Sequence, residues 1–185
     1  MPRLACRFII SMAALILLSA CSTLPENLKA DSMPVTTDYQ AWNSGSIKSD
    51  SMIRLGGMIA DVRNLADKTR VEVVNIPIDK TGRPNIDTEP SGRFVAYIDG
   101  FVDPVTFAKG RLVTVLGAAS GTEKGKVGQY DYIFPVMKGV GYHLWRVEER
   151  VIVNDFNSHY YPCRGIFCRD PFPRVSEGQV IQVVK

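Results

Sequence analysis

One cysteine in the chain sits where its thiolate has an electrophile to attack. Leu18-Ser19-Ala20-Cys21 closes an almost wholly apolar run over residues 8–18, and Arg3 and Arg7 precede that run. A positive start, a short apolar segment and small residues before a cysteine read as an export signal whose cleavage leaves Cys21 first. Small side chains at Ser19 and Ala20 let an extended backbone enter a peptidase, and the Cys21 thiolate can take a diacylglyceryl group. Each buried acyl methylene contributes ~0.8 kcal/mol, so several chains hold a protein at a membrane almost permanently. The apolar run is shorter than the ~20 residues that span a bilayer. The alternatives are an anchor helix or a cleaved signal without lipid; the position of Cys21 argues against both.

The other chemistry-bearing residues are sparse. Cys6 leaves with the signal, so Cys163 and Cys168 remain as a pair. An exported protein meets an oxidising compartment, which favours a local disulfide. His159, Cys163 and Cys168, with Asp170 as a fourth ligand, are the metal alternative, although C-x4-C is a poor zinc spacing; free thiols are the third. Ser120-Gly121-Thr122-Glu123-Lys124-Gly125-Lys126 has the composition of a phosphate loop. It lacks the first glycine, because Ser120 stands there, and Val127 replaces the Ser or Thr after the lysine. A solvated hairpin loop is the better reading. His143 sits between Tyr142 and Leu144-Trp145 in an alternating stretch and reads as structural. No G-x-S-x-G or H-E-x-x-H occurs, although a carboxylate pair needs no local motif. No catalytic set, metal or other cofactor is expected. Asp103-Pro104 after Gly100 is a turn signal; were it a binding loop, Phe101 and Phe107 would be its contacts.

Loss of residues 1–20 leaves 165 of the 185, enough for one domain with a sizeable core. Arg3 and Arg7 leave too, which lowers the formal charge from +3 to +1. That balance argues against a dedicated nucleic-acid binder, which needs a basic field. Residues 21–50 are polar, rich in Ser, Thr, Asn and Asp, and read as a tether that holds the domain off the bilayer. One short helical or strand turn is expected near residues 38–42, with Trp42 either packed on the domain or at the lipid headgroups. Residues 51–150 alternate between apolar strands and Gly- or Pro-containing turns. Strands are expected at 52–59, 70–78, 93–98, 111–118, 129–137 and 140–147. A longer excursion over residues 99–110 contains one helical turn. This pattern is all-β, and a small OB-like Greek-key barrel of five to six strands fits the count. Residues 151–185 form an aromatic, proline-rich tail, with a possible final strand over 175–184. OB barrels commonly bind oligosaccharides across a strand face. Tyr97, Tyr130, Tyr132 and Trp145 could supply stacking rings, or half of them could be core.

These residues together resemble the Slp family of outer-membrane lipoproteins, a starvation-inducible group of Gram-negative bacteria. The resemblance begins at the lipid box and continues through Leu24-Pro25-Glu26-Asn27-Leu28-Lys29 and Arg54-Leu55-Gly56-Gly57-Met58-Ile59. It runs on through Gly92-Arg93-Phe94, Gly100-Phe101-Val102-Asp103-Pro104 and Val113-Thr114-Val115-Leu116-Gly117, to Tyr132-Ile133-Phe134-Pro135-Val136 and His143-Leu144-Trp145. The Cys163/Cys168 pair is not part of the general family pattern. Ser22, where an inner-membrane lipoprotein would carry aspartate, resembles the sorting signal for the outer membrane. The resemblance implies lipid anchoring at the outer membrane, a role in stress and stationary-phase envelope physiology, and no assigned enzymatic activity. The expectation is therefore a non-enzymatic lipoprotein held by acylated Cys21 that binds an envelope protein or glycan. The alternative is a carbohydrate- or small-ligand-binding module using Tyr97, Tyr132 and Trp145. An envelope hydrolase is the third class.

Overall fold

The computed structural model describes residues 23–30, 33–153 and 178–185. Cys21, His159, Cys163, Cys168 and Asp170 lie outside them. The elements are β1 (Val35–Thr36), α1 (Tyr39–Asn43), β2 (Met52–Asn64), β3 (Lys68–Ile76), β4 (Gly92–Asp99), β5 (Leu112–Val127), β6 (Tyr130–Trp145), β7 (Val147–Val153) and β8 (Gly178–Val184). The fold is all-β, as expected.

Five strands close on themselves. β2 pairs antiparallel with β3, and β3 with β4. β4 pairs parallel with β6, from Val95↔Val136 to Ile98↔Gly139. β6 returns antiparallel to β5, and β5 pairs with β2 from Met52↔Ala118 to Met58↔Leu112. The ring β2-β3-β4-β6-β5 has the strand order of an OB-type Greek-key barrel, which removes the free edges of an open sheet. β7 and β8 form a separate two-stranded ribbon.

Period-two alternation decides what fills the ring. Ile53, Leu55, Val71, Val73, Phe94, Ala96, Val113 and Val115 point inward and are buried. Two segments outside the strands complete this core. Tyr39 and Trp42 of α1 enter beside the start of β4, where the Tyr39 hydroxyl donates to Arg93 O (2.9 Å). Val102 and Phe107 enter from the excursion that follows the end of β4. There Thr69 Oγ1 lies 2.9 Å from Gly100 O and accepts from Val102 N (3.1 Å). The expected helical turn is present, with Phe107 N donating to Asp103 O (2.9 Å).

Three sequence expectations change. The polar stretch before residue 50 is not a free spacer: Leu28, Tyr39 and Trp42 are buried in it, and β1 pairs with the start of β2. Polar composition hid the stretch because so few of its residues carry the packing. The Gly-Lys segment at 120–127, read as a loop, is strand: β5 continues through it and pairs with Tyr130–Pro135 to form a long hairpin arm. One side of the arm faces solvent and the other supplies Glu123, Gly125 and Val127, so no apolar run marks it. The two strands expected at 129–137 and 140–147 are one strand, β6, with a register shift opposite Gly117. A Cβ at Gly117 would overlap Lys138 O, so only glycine lets the two backbones pass so closely there.

Candidate functional site

Outside the ring, the barrel carries two further apolar clusters, and these decide which surfaces remain open. The first lies over the outer face of β3 and β4, where OB barrels commonly take ligands. Arg70, Glu72, Arg93, Val95 and Tyr97 alternate outward there, and the hairpin arm folds across them. Phe134 is fully buried against Val95 and Val136, with Tyr97, Val127 and Tyr132 at the margin. The Arg70 guanidinium stands 5.5 Å over the Phe134 ring.

A network of charge-assisted bonds fastens the arm to this face. Glu123 Oε1, on the arm, accepts from Arg70 Nε (2.8 Å) and Nη2 (2.7 Å). Its other oxygen accepts from the Tyr97 hydroxyl (2.7 Å). Glu72 accepts from Arg93 Nη1 (2.7 Å) and lies 3.5 Å from Arg70 Nη1. The bond to the Glu123 carboxylate, then partial burial, raises the Tyr97 phenol above its ordinary range. Burial, and next the neighbouring Tyr132 hydroxyl, raises Tyr39. Both phenols stay protonated and act as donors. Neither Glu72 nor Glu123 has the free approach that a general acid or base needs: Arg70 and Arg93 occupy the oxygens of Glu72, and Arg70 and the Tyr97 hydroxyl those of Glu123.

Trp145 belongs to the second cluster. It is buried with Leu28, Ile76, Leu112 and Leu116 under the N-terminal segment, with Leu24 and Ile86 at the edge. Its Nε1 donates to Thr114 Oγ1 (3.0 Å), which donates to Gly82 O (2.6 Å). Arg83 stands 5.4 Å over its ring. The predicted Tyr97–Tyr132–Trp145 platform is therefore not assembled. Tyr132 and Trp145 are thirteen residues apart on one strand, about 40 Å of extended chain, and Trp145 is inside. Tyr97 and Tyr132 do both pack at the margin of the Phe134 cluster, but Tyr97 lies beneath the arm and Tyr132 is part of it, its hydroxyl accepting from Arg93 N (3.2 Å). Tyr130, at the arm's tip, is exposed.

His143 packs edge-on against Trp145, ring centroids 4.3 Å apart. Burial, and then the Arg83 charge, lowers its pKa below the ordinary value. That fits the structural reading and has a consequence for stability. The unfolded chain takes up a proton near pH 6.5 that the folded chain resists. Stability should fall as the pH drops through about 6.5 and level off once the folded histidine is charged. Melting temperatures followed by circular dichroism from pH 7.5 to 5.5 should show a shallow loss in the wild type. The His143→Gln variant should lose that slope.

The Asp103-Pro104 turn is structural in its bonds: Asp103 accepts from Val105 N (3.1 Å) and Thr106 N (3.3 Å). The two rings expected as its contacts separate. Phe107 is in the core and meets Tyr142 edge-on at 5.0 Å, whereas Phe101 is 76% exposed. Among the described residues, no three His, Cys, Asp or Glu side chains gather as a metal site. Sequence reasoning missed Arg70, Glu72, Arg93, Glu123 and Phe134. Arg70 and Glu123 lie 53 positions apart, so no local spacing could have shown them as a set.

The N-terminal segment sets the relation between domain and anchor. Glu26–Leu28 is a 3-10 turn laid along the outside of β6, where a Cβ at Gly141 would overlap Asn27 O. Arg54 Nη1 donates to Leu28 O (2.9 Å). The side chains of Leu24 and Leu28 both crowd Gly82 beside Trp145.

Comparison with known proteins gives matches along most of the chain. Residues 18–177 match the profile described as the Outer membrane lipoprotein Slp family. An uncharacterized lipoprotein, YeaY, of Escherichia coli K12 is 34% identical over 153 residues, which cover 81% of this chain and 79% of the relative. Outer membrane protein Slp of the same organism is 31% identical over 137 residues, covering 73% and 72%. An uncharacterized protein of Haemophilus influenzae is 33% identical over 129 residues, covering 69% and 70%.

Proposed function

Because this chain belongs to the Slp family and is a lipid-anchored protein of the outer membrane, we propose that acylated Cys21 and the barrel act as one non-enzymatic body at the membrane surface, where the barrel engages an envelope protein. The observation that carries this reading is the seating of Leu24 and Leu28 on the outer cluster of the barrel. Only residues 22 and 23 separate Cys21 from Leu24. The lipid therefore confines the domain instead of trailing it on a long leash, and raises its concentration against neighbours in the same surface. The saturated pairing of Glu72 and Glu123, and the packing of His143 on Trp145, support a role without catalysis. The family supports a place in stress and stationary-phase envelope physiology.

Cys21→Ala tests the anchor. The variant should leave the membrane fraction almost completely and lack the mass of the acyl chains, with its circular dichroism unchanged. Pelleting and mass equal to those of the wild type would end the Cys21 assignment. Crosslinking of the anchored protein in intact cells should capture an envelope neighbour that Cys21→Ala no longer captures. Equal capture by both forms would separate partner binding from the anchor.

A further inference from the structure

The excursion between β4 and β5, residues 100–111, is amphipathic in an unusual sense. Val102 and Phe107 point into the barrel and are 6% and 2% exposed, whereas Phe101 and Val105 point outward and are 76% and 82% exposed. The outward pair is rigidly presented. The turn hydrogen bond from Phe107 N to Asp103 O and the three contacts of the Asp103 carboxylate with Val105 N, Thr106 N and Thr106 Oγ1 fix the loop. Leu65, 47% exposed, stands nearby on the β2–β3 turn, where Gly100 N donates to Asp67 O (2.8 Å). Covering Phe101 and Val105, with Leu65 nearby, would be favourable by transfer of their apolar surface from water, which marks this loop as a contact surface.

The path of the N-terminus says what covers them. Trp145 ends β6 opposite Leu112, the residue that follows the excursion. Asn27 lies on Gly141, and Leu24 lies by Gly82 and Trp145. Traced backwards from Val35, which pairs with Met52, through Leu28, whose carbonyl Arg54 binds, to Leu24 beside Trp145, the chain thus runs from the start of β2 toward this same end of the barrel. Three Cα-to-Cα steps then lead from Leu24 to Cys21, a reach of at most about 11 Å. We propose that the end of the barrel closed by residues 100–111 rests on the bilayer, with Phe101 and Val105 seated in its interface. The proposal rests on the acylated Cys21 of the reading above. Of the acids near this end, Asp61 lies 2.8 Å from Arg63 and 3.2 Å from Lys109 and Asp103 is bound within its own turn, whereas Asp67 and Asp99, beside Leu65 and Gly100, have no ion-pair partner among the described residues and give anionic lipid no hold. Seating therefore depends on apolar contact more than on anionic lipid. The hairpin arm, with Tyr130 at its tip, is carried away from the membrane.

Full-length acylated protein in phosphatidylethanolamine/phosphatidylglycerol vesicles tests this. Phe101→Trp and Tyr130→Trp place a fluorophore at the two positions, both exposed, so neither substitution disturbs the core. Brominated acyl chains should quench the added tryptophan at 101 several-fold more than the one at 130, with a blue-shifted emission at 101 only. Replacing phosphatidylglycerol by phosphatidylcholine should leave that difference in place. Equal quenching at both positions, or greater quenching at 130, would overturn the orientation even with the protein fully vesicle-bound; that is the result a protein partner on this loop would give. Failure of the acylated wild type to float with the vesicles would instead remove the anchor on which the proposal stands.

Discussion

Trp42→Ala should lower the stability of the domain by about 3–5 kcal/mol, the range for truncating a large buried aromatic. Trp42 is 6% exposed and packs edge-on against Phe94, centroids 6.0 Å apart, in the same cluster as the barrel interior. α1, which carries it, is five residues long. A helix that short does not persist alone; Asp38 caps it, accepting from Gln40 N (2.8 Å) and Ala41 N (3.1 Å), and the barrel holds it. Removing the indole therefore takes away both the filling of the barrel and the reason for the helix. At 2–4 °C per kcal/mol for a domain of this size, the melting temperature should drop by roughly 10 °C or more. The chain has only two tryptophans, so the variant's emission should come from Trp145 alone and remain blue-shifted, because that ring stays buried. A residue in a free tether would change stability by no more than about 0.5 kcal/mol. A thermal melt within that margin of the wild type would mean that residues 39–43 are not part of the core.

Phe134→Ala should cost a similar amount, about 3–5 kcal/mol, by a route that reads out in a different place. Phe134 is fully buried, but outside the ring of strands. Tyr132 packs on it at 4.7 Å, Arg70 stands over its face, and Gly125 passes beneath it so closely that a Cβ there would lie 2.9 Å from its ring. Without the ring, the arm keeps the Glu123 contacts but loses the apolar surface that seats it and excludes water from those charges. Hydrogen exchange should quicken most at the amides of residues 122–127 and 130–135. Amides in β2 and β3 should change only as far as the global stability does. A uniform change along the chain would show that the arm unfolds only with the barrel. The outer face of β3 and β4 should also become accessible in this variant, which makes it the form in which to look for glycan binding. In the wild type that face is filled by the protein's own hairpin.

Local information carried the parts of the sequence reading that agree with the structure. Strand positions followed from alternation along 52–59, 70–78, 93–98 and 111–118, because side chains reverse face at every residue whatever the strand later pairs with. The barrel class followed from the count of strands and the length of the excursion before β5. The lipid box lies outside the described residues; it is a linear signal of four adjacent residues and is the ground on which the lipid is proposed at Cys21. What alternation leaves open is which partner each face meets. Trp145 and Tyr132 look alike in sequence, as aromatic residues in an apolar strand. One is enclosed beneath residues 24–28, and the other lies on the second face of the barrel. Glu123 reads as one polar residue in a glycine-lysine loop until β5 curls far enough to bring it to Arg70.

The sequence by itself thus determined the strand periodicity and the family, because each is written within a few neighbouring residues, and the reading of residues 1–20 as an export signal rests on sequence alone. Only the tertiary structure decided the parallel closure of β4 on β6, the packing of Trp42 and Phe107 in one core, and the cover that the arm lays over Tyr97. These depend on pairs such as Tyr39 with Arg93, 54 positions apart. Such contacts leave no local trace. They form only when the entropy lost in closing a long loop is offset by many contacts made together.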